Sequence, residues 1–306
     1  MIIVAGEHLV DLIVDPSMQV QAVPGGGPFT TARTIARLGG MVAFLGRLST
    51  DRFGRDATAR LAADGVLAAC IQTTDEPTML AVAELDVQGS ATYRFHTVGT
   101  AAAGLREDAL PAAFASGPVA VHIGTLGLVL EPLATTIEAL VRGLDPTVLV
   151  MLDVNARPAA TPDVDAFRAR VARLLRRADV IKASVDDLAV LHPELDPDLA
   201  LDRLAAAGPS AVLRTDGARP VVVAAGSARR SLPIPSVPVV DTVGAGDAFG
   251  GGFLYAWVAS GRERAALDDI DAVGDAASIG IRVATATVGR AGAEPPLAAE
   301  LEGVPA

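Results

Sequence analysis

An aspartate that follows two glycines at a helix start is the residue of this chain best placed to do chemistry. Val240-Asp241-Thr242-Val243-Gly244-Ala245-Gly246-Asp247-Ala248-Phe249 reads as an apolar strand end, a tight turn and a helix opening at about Ala245. Gly244 and Gly246 permit a left-handed backbone or a close approach to a ligand. The helix start offers free N–H groups and the positive end of its dipole, which suit an anion. Asp247 sets a carboxylate beside that anion hole. A site that only bound phosphate would gain nothing from the extra negative charge. A phosphoryl-transfer site would gain a base, because the attacking hydroxyl must lose its proton next to the phosphate it attacks. Taken alone, Gly-x-Gly-Asp favours a plainer reading, an aspartate decorating a helix N-terminus. The other motifs of the chain reverse that.

Asp11 is the only acid in an apolar surrounding, His8-Leu-Val-Asp-Leu-Ile-Val14. It is either a capped, turn-facing carboxylate or, if it points inward, a ligand contact, since a buried acid without a partner is costly. Pro24-Gly25-Gly26-Gly27-Pro28 is a glycine turn that leads into a helix, weak evidence for a ligand by itself. Lys182 is the sole lysine. Its setting, a strand end running into Ala183-Ser184-Val185-Asp186-Asp187, is ordinary for a strand before a capped helix and speaks against a Schiff-base role. With one lysine so placed, the Walker Gly-x4-Gly-Lys-Ser/Thr loop cannot occur, and no Gly-x-Gly-x-x-Gly follows a strand. The histidines at 8, 96, 122 and 192 are not paired at metal-ligand spacing, and no Gly-x-Ser-x-Gly elbow exists.

The elements that must position these residues alternate. Apolar strand-like runs at 2–5, 42–45, 119–123, 148–153, 180–182 and 211–214 are separated by helical spacing at 30–39, 53–64, 131–142, 164–177 and 199–207. Strand, crossover helix, strand implies a parallel sheet covered on both faces. Extended segments follow at 221–224 and 230–234, then helices at 245–259 and about 268–286. The first of these is apolar almost all round and should be buried centrally. Its Gly250, Gly251 and Gly252 each cost about 1 kcal/mol relative to alanine, which close packing against a neighbour or ligand would offset. Residues 78–85 and 91–97 break the alternation: two strands around the polar turn 86–90 read as a β-hairpin. The tail after Ala293 is expected to lie irregularly on the surface.

Composition narrows the function class. A chain of 306 residues, half of them hydrophobic, can bury a large core. Net charge is −11 and no basic block exists, which argues against broad nucleic-acid or anionic-membrane binding. A single cysteine, Cys70, fits a reducing compartment. The first residues read as a core strand, not a signal peptide, and no apolar run reaches membrane-spanning length, so a cytoplasmic protein is expected.

The ordered set of motifs resembles the ribokinase-like (PfkB) carbohydrate kinases from end to end, and their fructokinase-type members most closely. Asp241-Thr-Val-Gly-Ala-Gly-Asp247 matches that family's C-terminal signature, and the stretch from Gly25 to Gly39 its N-terminal one. Gly6-Glu7 with Asp11, Gly99-Thr100-Ala101, Leu130-Glu131-Pro132 and Asp153-Val-Asn-Ala-Arg-Pro158 are fructokinase-like. The resemblance implies a three-layer α/β/α core with a mostly parallel sheet, one kinase domain over 1–306, and a small β lid formed by about 11–23 and 78–97 that closes over the sugar. It implies ATP and Mg²⁺, a base at Asp247, an anion hole at Gly244, Ala245 and Gly246, and sugar contacts from Asp11, Gly26, Gly27, Thr30 and Arg157. Lys182, Ser184, Thr215, Gly217 and Gly292 would lie on the nucleotide side. Asp187 would act near the metal, indirectly, and Asp241 near a monovalent cation such as K⁺. A homodimer is implied through the lid. Thr30 stands where members usually carry Asn, Ser184-Val-Asp-Asp187 where many carry Asn-x-x-Glu, and Ala218-Arg-Pro220 where many have a further glycine. These departures touch the sugar's identity more than the reaction. The expected activity is an ATP-dependent kinase for a small sugar, most of all fructose. Within the class the alternative is 2-keto-3-deoxygluconate or another sugar or nucleoside; outside it, a catalytically silent sugar-binding relative.

Overall fold

Strand β1 (Ile2–Ala5) is four buried apolar residues flanked by parallel neighbours on both sides, which is why neither face of it is polar. The computed structural model describes residues 1–88 and 91–304. From β1 the chain passes into β2 (Leu9–Val14) and β3 (Val20–Gly25), then returns through α1 (Gly27–Arg37) to β4 (Val42–Ser49). Helix α2 (Arg52–Asp64) leads to β5 (Ile71–Thr74), and a hairpin follows, β6 (Met79–Leu85) with β7 (Ala91–His96). After the short α3 (Leu110–Ala115), strand and helix alternate. They run β8 (Ala120–Gly124), α4 (Leu133–Gly143), β9 (Leu149–Asp153), α5 (Val164–Leu175) and β10 (Val180–Ser184). Then come α6 (Val185–Leu191), α7 (Pro197–Ala205) and β11 (Ala211–Asp216). The antiparallel pair β12 (Arg219–Ala225) and β13 (Ala228–Leu232) precedes α8 (Ala245–Ala259) and α9 (Ile270–Val288).

The main sheet has nine strands in the order β13-β12-β11-β10-β9-β8-β1-β4-β5, parallel from β11 to β5. Alternation along β1 shows how it is covered. Ile3 and Ala5 join the apolar cluster built with Leu140 of α4, Phe167 of α5 and Leu201 of α7. Ile2 and Val4 join the opposite cluster, with Phe29 of α1, Leu61 of α2, Trp257 of α8 and Ile281 of α9. The result is the expected three-layer α/β/α sandwich. Because β1 hands the chain on to β4 on one side while β8 lies on its other side, a crevice opens beyond the carboxyl ends of β1 and β8, the usual ligand position in such sheets.

A second, four-stranded sheet, β3-β2-β6-β7, comes from the two segments the resemblance assigned to a lid. Its β2–β6 pair is parallel and the other two pairs are antiparallel. Of the turn between β6 and β7, Gly89 and Ser90 lie outside the described residues, as does Pro305 of the tail.

The glycines of α8 pack against protein. A Cβ on Gly251 would stand 2.8 Å from that of Thr34, and one on Gly252 would stand 3.1 Å from the Cα of Gly280. Both β5 and α3 go beyond the sequence expectation. Ile71-Gln-Thr-Thr74 has little apolar character and is strand only because it is an edge with one neighbour, β4. The tail lies bound against the body of the protein: Glu294 pairs with Arg33 and Arg37 of α1, and Leu301 is buried. No helix among the described residues is long and apolar enough to cross a membrane.

Candidate active site

Helix α8 begins at a glycine because nothing else fits. Gly244, its N-cap, has φ 75°, and a Cβ there would stand 2.6 Å from the Cβ of Ala293 and 3.3 Å from Thr30 Cγ2. Among the described residues no side chain caps this end, so the amides of Gly246 and Asp247 are left for an outside acceptor. The amide of Ala245, expected in the anion hole, instead turns back to the Thr242 carbonyl at 3.3 Å. Beneath the turn, Lys182 Nζ donates to both carboxylate oxygens of Asp153, at 2.9 and 2.8 Å. Burial works against the ammonium; Asp153, Asp247 and Asp187 outweigh it and hold its pKa above the ordinary lysine value. Nζ lies just under the turn, where a Cβ on Gly246 would stand 3.4 Å from it, in ordinary contact.

Asp247 keeps a partial opening to the cavity and is otherwise enclosed by protein. Burial raises its pKa and the charge of Asp153 adds to this, against Lys182 and Arg157. A base of raised pKa takes a proton more readily. Its Oδ1 accepts from Asn155 Nδ2 at 3.2 Å, and the same nitrogen donates to Thr125 Oγ1 at 3.2 Å. Gly27 lies directly over this group: a Cβ on it would be 2.6 Å from Thr125 Oγ1 and 2.9 Å from Asp247 Oδ1. The glycine turn that looked like weak evidence is thus required by the carboxylate it covers.

Two cavities meet at this turn. The first, about 730 Å³, is walled on the side of the second sheet by Leu9, Asp11, Tyr93 and Phe95, and it also holds Gly26, Thr30 and Arg157. Burial pushes Asp11 up to about 6, with Asp247 and Asp241 adding to the rise and Arg157 opposing it. Arg157, exposed, is the one cation in this wall among the described residues. The second cavity, about 590 Å³, contains Thr215 and Gly217 with apolar Val221, Ile234, Phe249 and Ile281, a lining suited to a flat aromatic base. The two share only Thr242 and Gly246.

Several expected site residues sit elsewhere or serve otherwise. Lys182 lines neither cavity; it is the buried counter-ion just described. Gly292 also lines neither: its amide donates to Asp241 Oδ2, and its neighbour Ala293 faces the first cavity. The other Asp241 oxygen accepts from Val243 N, so this carboxylate staples two loops together. Ser184 and Asp187 form a capping box on α6, and Asp187 Oδ1 also accepts from Ala156 N at 2.7 Å. They line the first cavity, not the second. Asp186 beside them is exposed and makes no hydrogen bond or ion pair among the described residues. Sequence reasoning missed Thr125 and Asn155 as site residues, although Asn155 sits inside a quoted motif. Both have positive φ, 55° and 36°, which neither residue type signals.

It also passed over Glu7. This side chain is buried in the wall of the first cavity, and among the described residues neither carboxyl oxygen has a hydrogen-bond partner. Burial lifts its pKa to about 8 and Asp247 adds to the rise, while the nearby amides of Glu7 and Leu126 and the charge of Arg157 oppose it. Between pH 4.5 and 8 the folded chain therefore holds a proton that the unfolded chain has released, and stability falls as pH rises through that window. At about 1.4 kcal/mol per pH unit the loss by pH 7 is on the order of 3 kcal/mol. Glu7→Gln, always neutral, is expected to melt several degrees above the wild type at pH 8 and close to it at pH 5. Melting curves at the two pH values decide this; a gap that does not change with pH would contradict it.

Comparison with known proteins places these features. The model of the pfkB family carbohydrate kinases matches residues 2–299. A fructokinase of Vibrio alginolyticus is 32% identical over 253 residues, 82% of this chain and 82% of that one. The crystal structure of a fructokinase from Xylella fastidiosa with bound ATP superposes with a TM-score of 0.89 at 29% identity, covering 98% of this chain and 97% of the other. A double-mutant fructokinase from Vibrio cholerae O395, in a fructose-, ADP- and potassium-bound form, gives 0.84 at 25% identity over 95% and 93% of the two chains.

Proposed function

The chain belongs to the pfkB family of carbohydrate kinases, and on that premise we propose that it transfers the γ-phosphoryl group of ATP to a hydroxyl of fructose. The observation that carries this reading is the shared turn: Thr242 and Gly246 border both cavities, and Asp247 stands at the border on the first side. A sugar in the first cavity and a nucleotide with its base in the second would meet there. Asp247 takes the hydroxyl proton as the new O–P bond forms and the bond to ADP breaks; the amides of Gly246 and Asp247 hold the transferring oxygens. Lys182 adds positive potential from below the turn.

The charge of the first cavity selects among substrates. Asp11 and Asp247 face it as carboxylates and Glu7 as a neutral carboxyl, with Arg157 as the single cation among the described residues, a wall that accepts hydrogen bonds from hydroxyls and repels a carboxylate. That favours neutral fructose over the anionic 2-keto-3-deoxygluconate. The second sheet would act as a lid that excludes water, with Tyr93 and Phe95 over the sugar. A homodimer would form through the outer face of that sheet, where Val20 is exposed; a monomer in sedimentation at micromolar concentration would exclude it.

Magnesium fits this site only as a nucleotide-borne ion. No group of three His, Cys, Asp or Glu side chains among the described residues could hold a metal alone, and Mg²⁺ with nucleotides typically uses one or two carboxylates plus phosphate oxygens. Asp186 would supply a carboxylate on the cavity wall; Asp187, with both oxygens given to the amides of Ser184 and Ala156, would act on the ion only indirectly. When bound, the ion would neutralise charge on the phosphates. Asp241, with both oxygens given to amides, fits a staple, and no step is drawn through a monovalent cation.

The test is ADP release with Mg-ATP across fructose, 2-keto-3-deoxygluconate, ribose, tagatose and adenosine. Fructose is expected to give the highest kcat/KM, with the sugar acid at least tenfold lower, and EDTA should stop turnover. Preference for the acid or for a nucleoside would overturn the substrate assignment. Sugar binding with no ADP release from any acceptor would favour the silent relative.

A further inference from the structure

We propose that Asn155 is a positioning residue for the base: it occupies one oxygen of Asp247 so that the other is presented to the acceptor hydroxyl. The proposal rests on the reading of Asp247 as that base. Both amide protons of Asn155 are engaged, one on Asp247 Oδ1 and one on Thr125 Oγ1, each at 3.2 Å. A carboxylate free to rotate would present either oxygen in many directions. With Oδ1 held, Oδ2 is left to receive the proton: the sugar O–H breaks, the sugar O–P forms, and the P–O bond to ADP breaks with its electron pair leaving on ADP.

The backbone supports the assignment independently. Among the described residues only three non-glycines have positive φ, Met18, Thr125 and Asn155, and the last two are joined to each other by this hydrogen bond. Threonine, branched at Cβ, is especially ill-suited to that conformation. Strain of this kind persists where the surroundings over-determine it, and it gathers at functional sites. Gly27 closes the group from above, since its absent Cβ would stand 3.2 Å from Asn155 Nδ2. The amide is thereby confined to these two acceptors. Charged or titratable groups acting on Asp247 come from every side: Asp153 at the end of β9, Lys182 on β10, Arg157 after β9, and Glu7 and Asp11 from the β1–β2 stretch. None of them makes a hydrogen bond to its carboxylate; Asn155 does.

Asn155→Gly removes the side chain and leaves positive φ accessible, so the loop is not strained further. Loss of a donor disfavours the ionised carboxylate, so the acid limb of the kcat/KM profile is expected to move to higher pH. We expect kcat to fall roughly 10- to 100-fold, a share of what general base catalysis supplies, with the KM for the sugar within about threefold. Asn155→Asp places a second carboxylate against the first and should move the acid limb further, in the order wild type, Gly, Asp. A residue that only ties two loops would lower the melting temperature and kcat while leaving the limb in place, and that result overturns the proposal. Asp247→Asn runs alongside. If it keeps near-wild-type turnover, the base reading has failed; if it is inactive while Asn155→Gly keeps the wild-type profile, the positioning role alone has failed.

Discussion

Asp247→Asn is expected to leave a folded protein whose kcat is about three orders of magnitude lower, the middle of the range that a positioned general base contributes. The amide has nearly the carboxylate's shape and cannot accept the sugar's proton. No neighbour can stand in. Asp153 is bound to Lys182, Asp187 is bound to the amides of Ser184 and Ala156, and Glu7, with its pKa near 8, already carries a proton at neutral pH. Asp11 is unpaired among the described residues but lies on β2, across the cavity from the α8 turn. Stability should move the other way. Asp247 has its pKa raised in the folded state, so above the unfolded pKa its ionisation weighs against folding, and the neutral amide lifts that cost. The expected signature is therefore a melting temperature equal to or above that of the wild type together with lost turnover, a common trade-off between activity and stability. Rapid-quench measurement of sugar phosphate separates the chemical step from product release. Turnover within tenfold of the wild type would mean the proton leaves by another route.

What could be read in the sequence follows from how far apart the cooperating residues lie. Gly244, Gly246 and Asp247 fall within one turn of chain, so their spacing already encodes the geometry of a helix start. The same holds for Gly25–Gly27, and for the strand-helix alternation that builds the parallel sheet. The contacts that complete the site are of another kind. Asn155 reaches Thr125 across 30 positions and Asp247 across 92, and no local pattern marks either partner. Positive φ at glycine can be anticipated from the residue; at Thr125 it cannot, because the residue disfavours it. Asp187 shows the converse. Its capping box is plain in Ser184-Val-Asp-Asp187, but its second oxygen meets Ala156, which only the fold reveals. Strand β5 was hidden because an edge strand needs little apolar content, and its pairing with β4 decides its conformation.

Lys182 is the residue whose position most changes its meaning, and its removal should be the most destabilising single change at the site. Read as a nucleotide contact, it would be exposed to a ligand and dispensable for folding. It is instead buried with Asp153, their side chains 4% and 1% exposed, and it is the cation acting on Asp247 from beneath the turn. Lys182→Met keeps the length of the stem and deletes the charge. Asp153 then has no counter-ion, and a buried pair broken on one side costs about 3–5 kcal/mol. In a chain of this size that corresponds to a melting temperature lower by on the order of 5–10 °C. Asp247, deprived of the charge that lowers its pKa and still facing Asp153, should titrate higher, moving the acid limb of kcat/KM to higher pH. Adding Asp153→Leu separates the pair from its parts. Replacing both ions by apolar groups of similar size is often neutral, so most of the lost stability should return. The acid limb should move back too, because one influence that raised Asp247 and one that lowered it are now both gone. A double variant no more stable than Lys182→Met would mean that the lysine stabilises the fold through something other than Asp153.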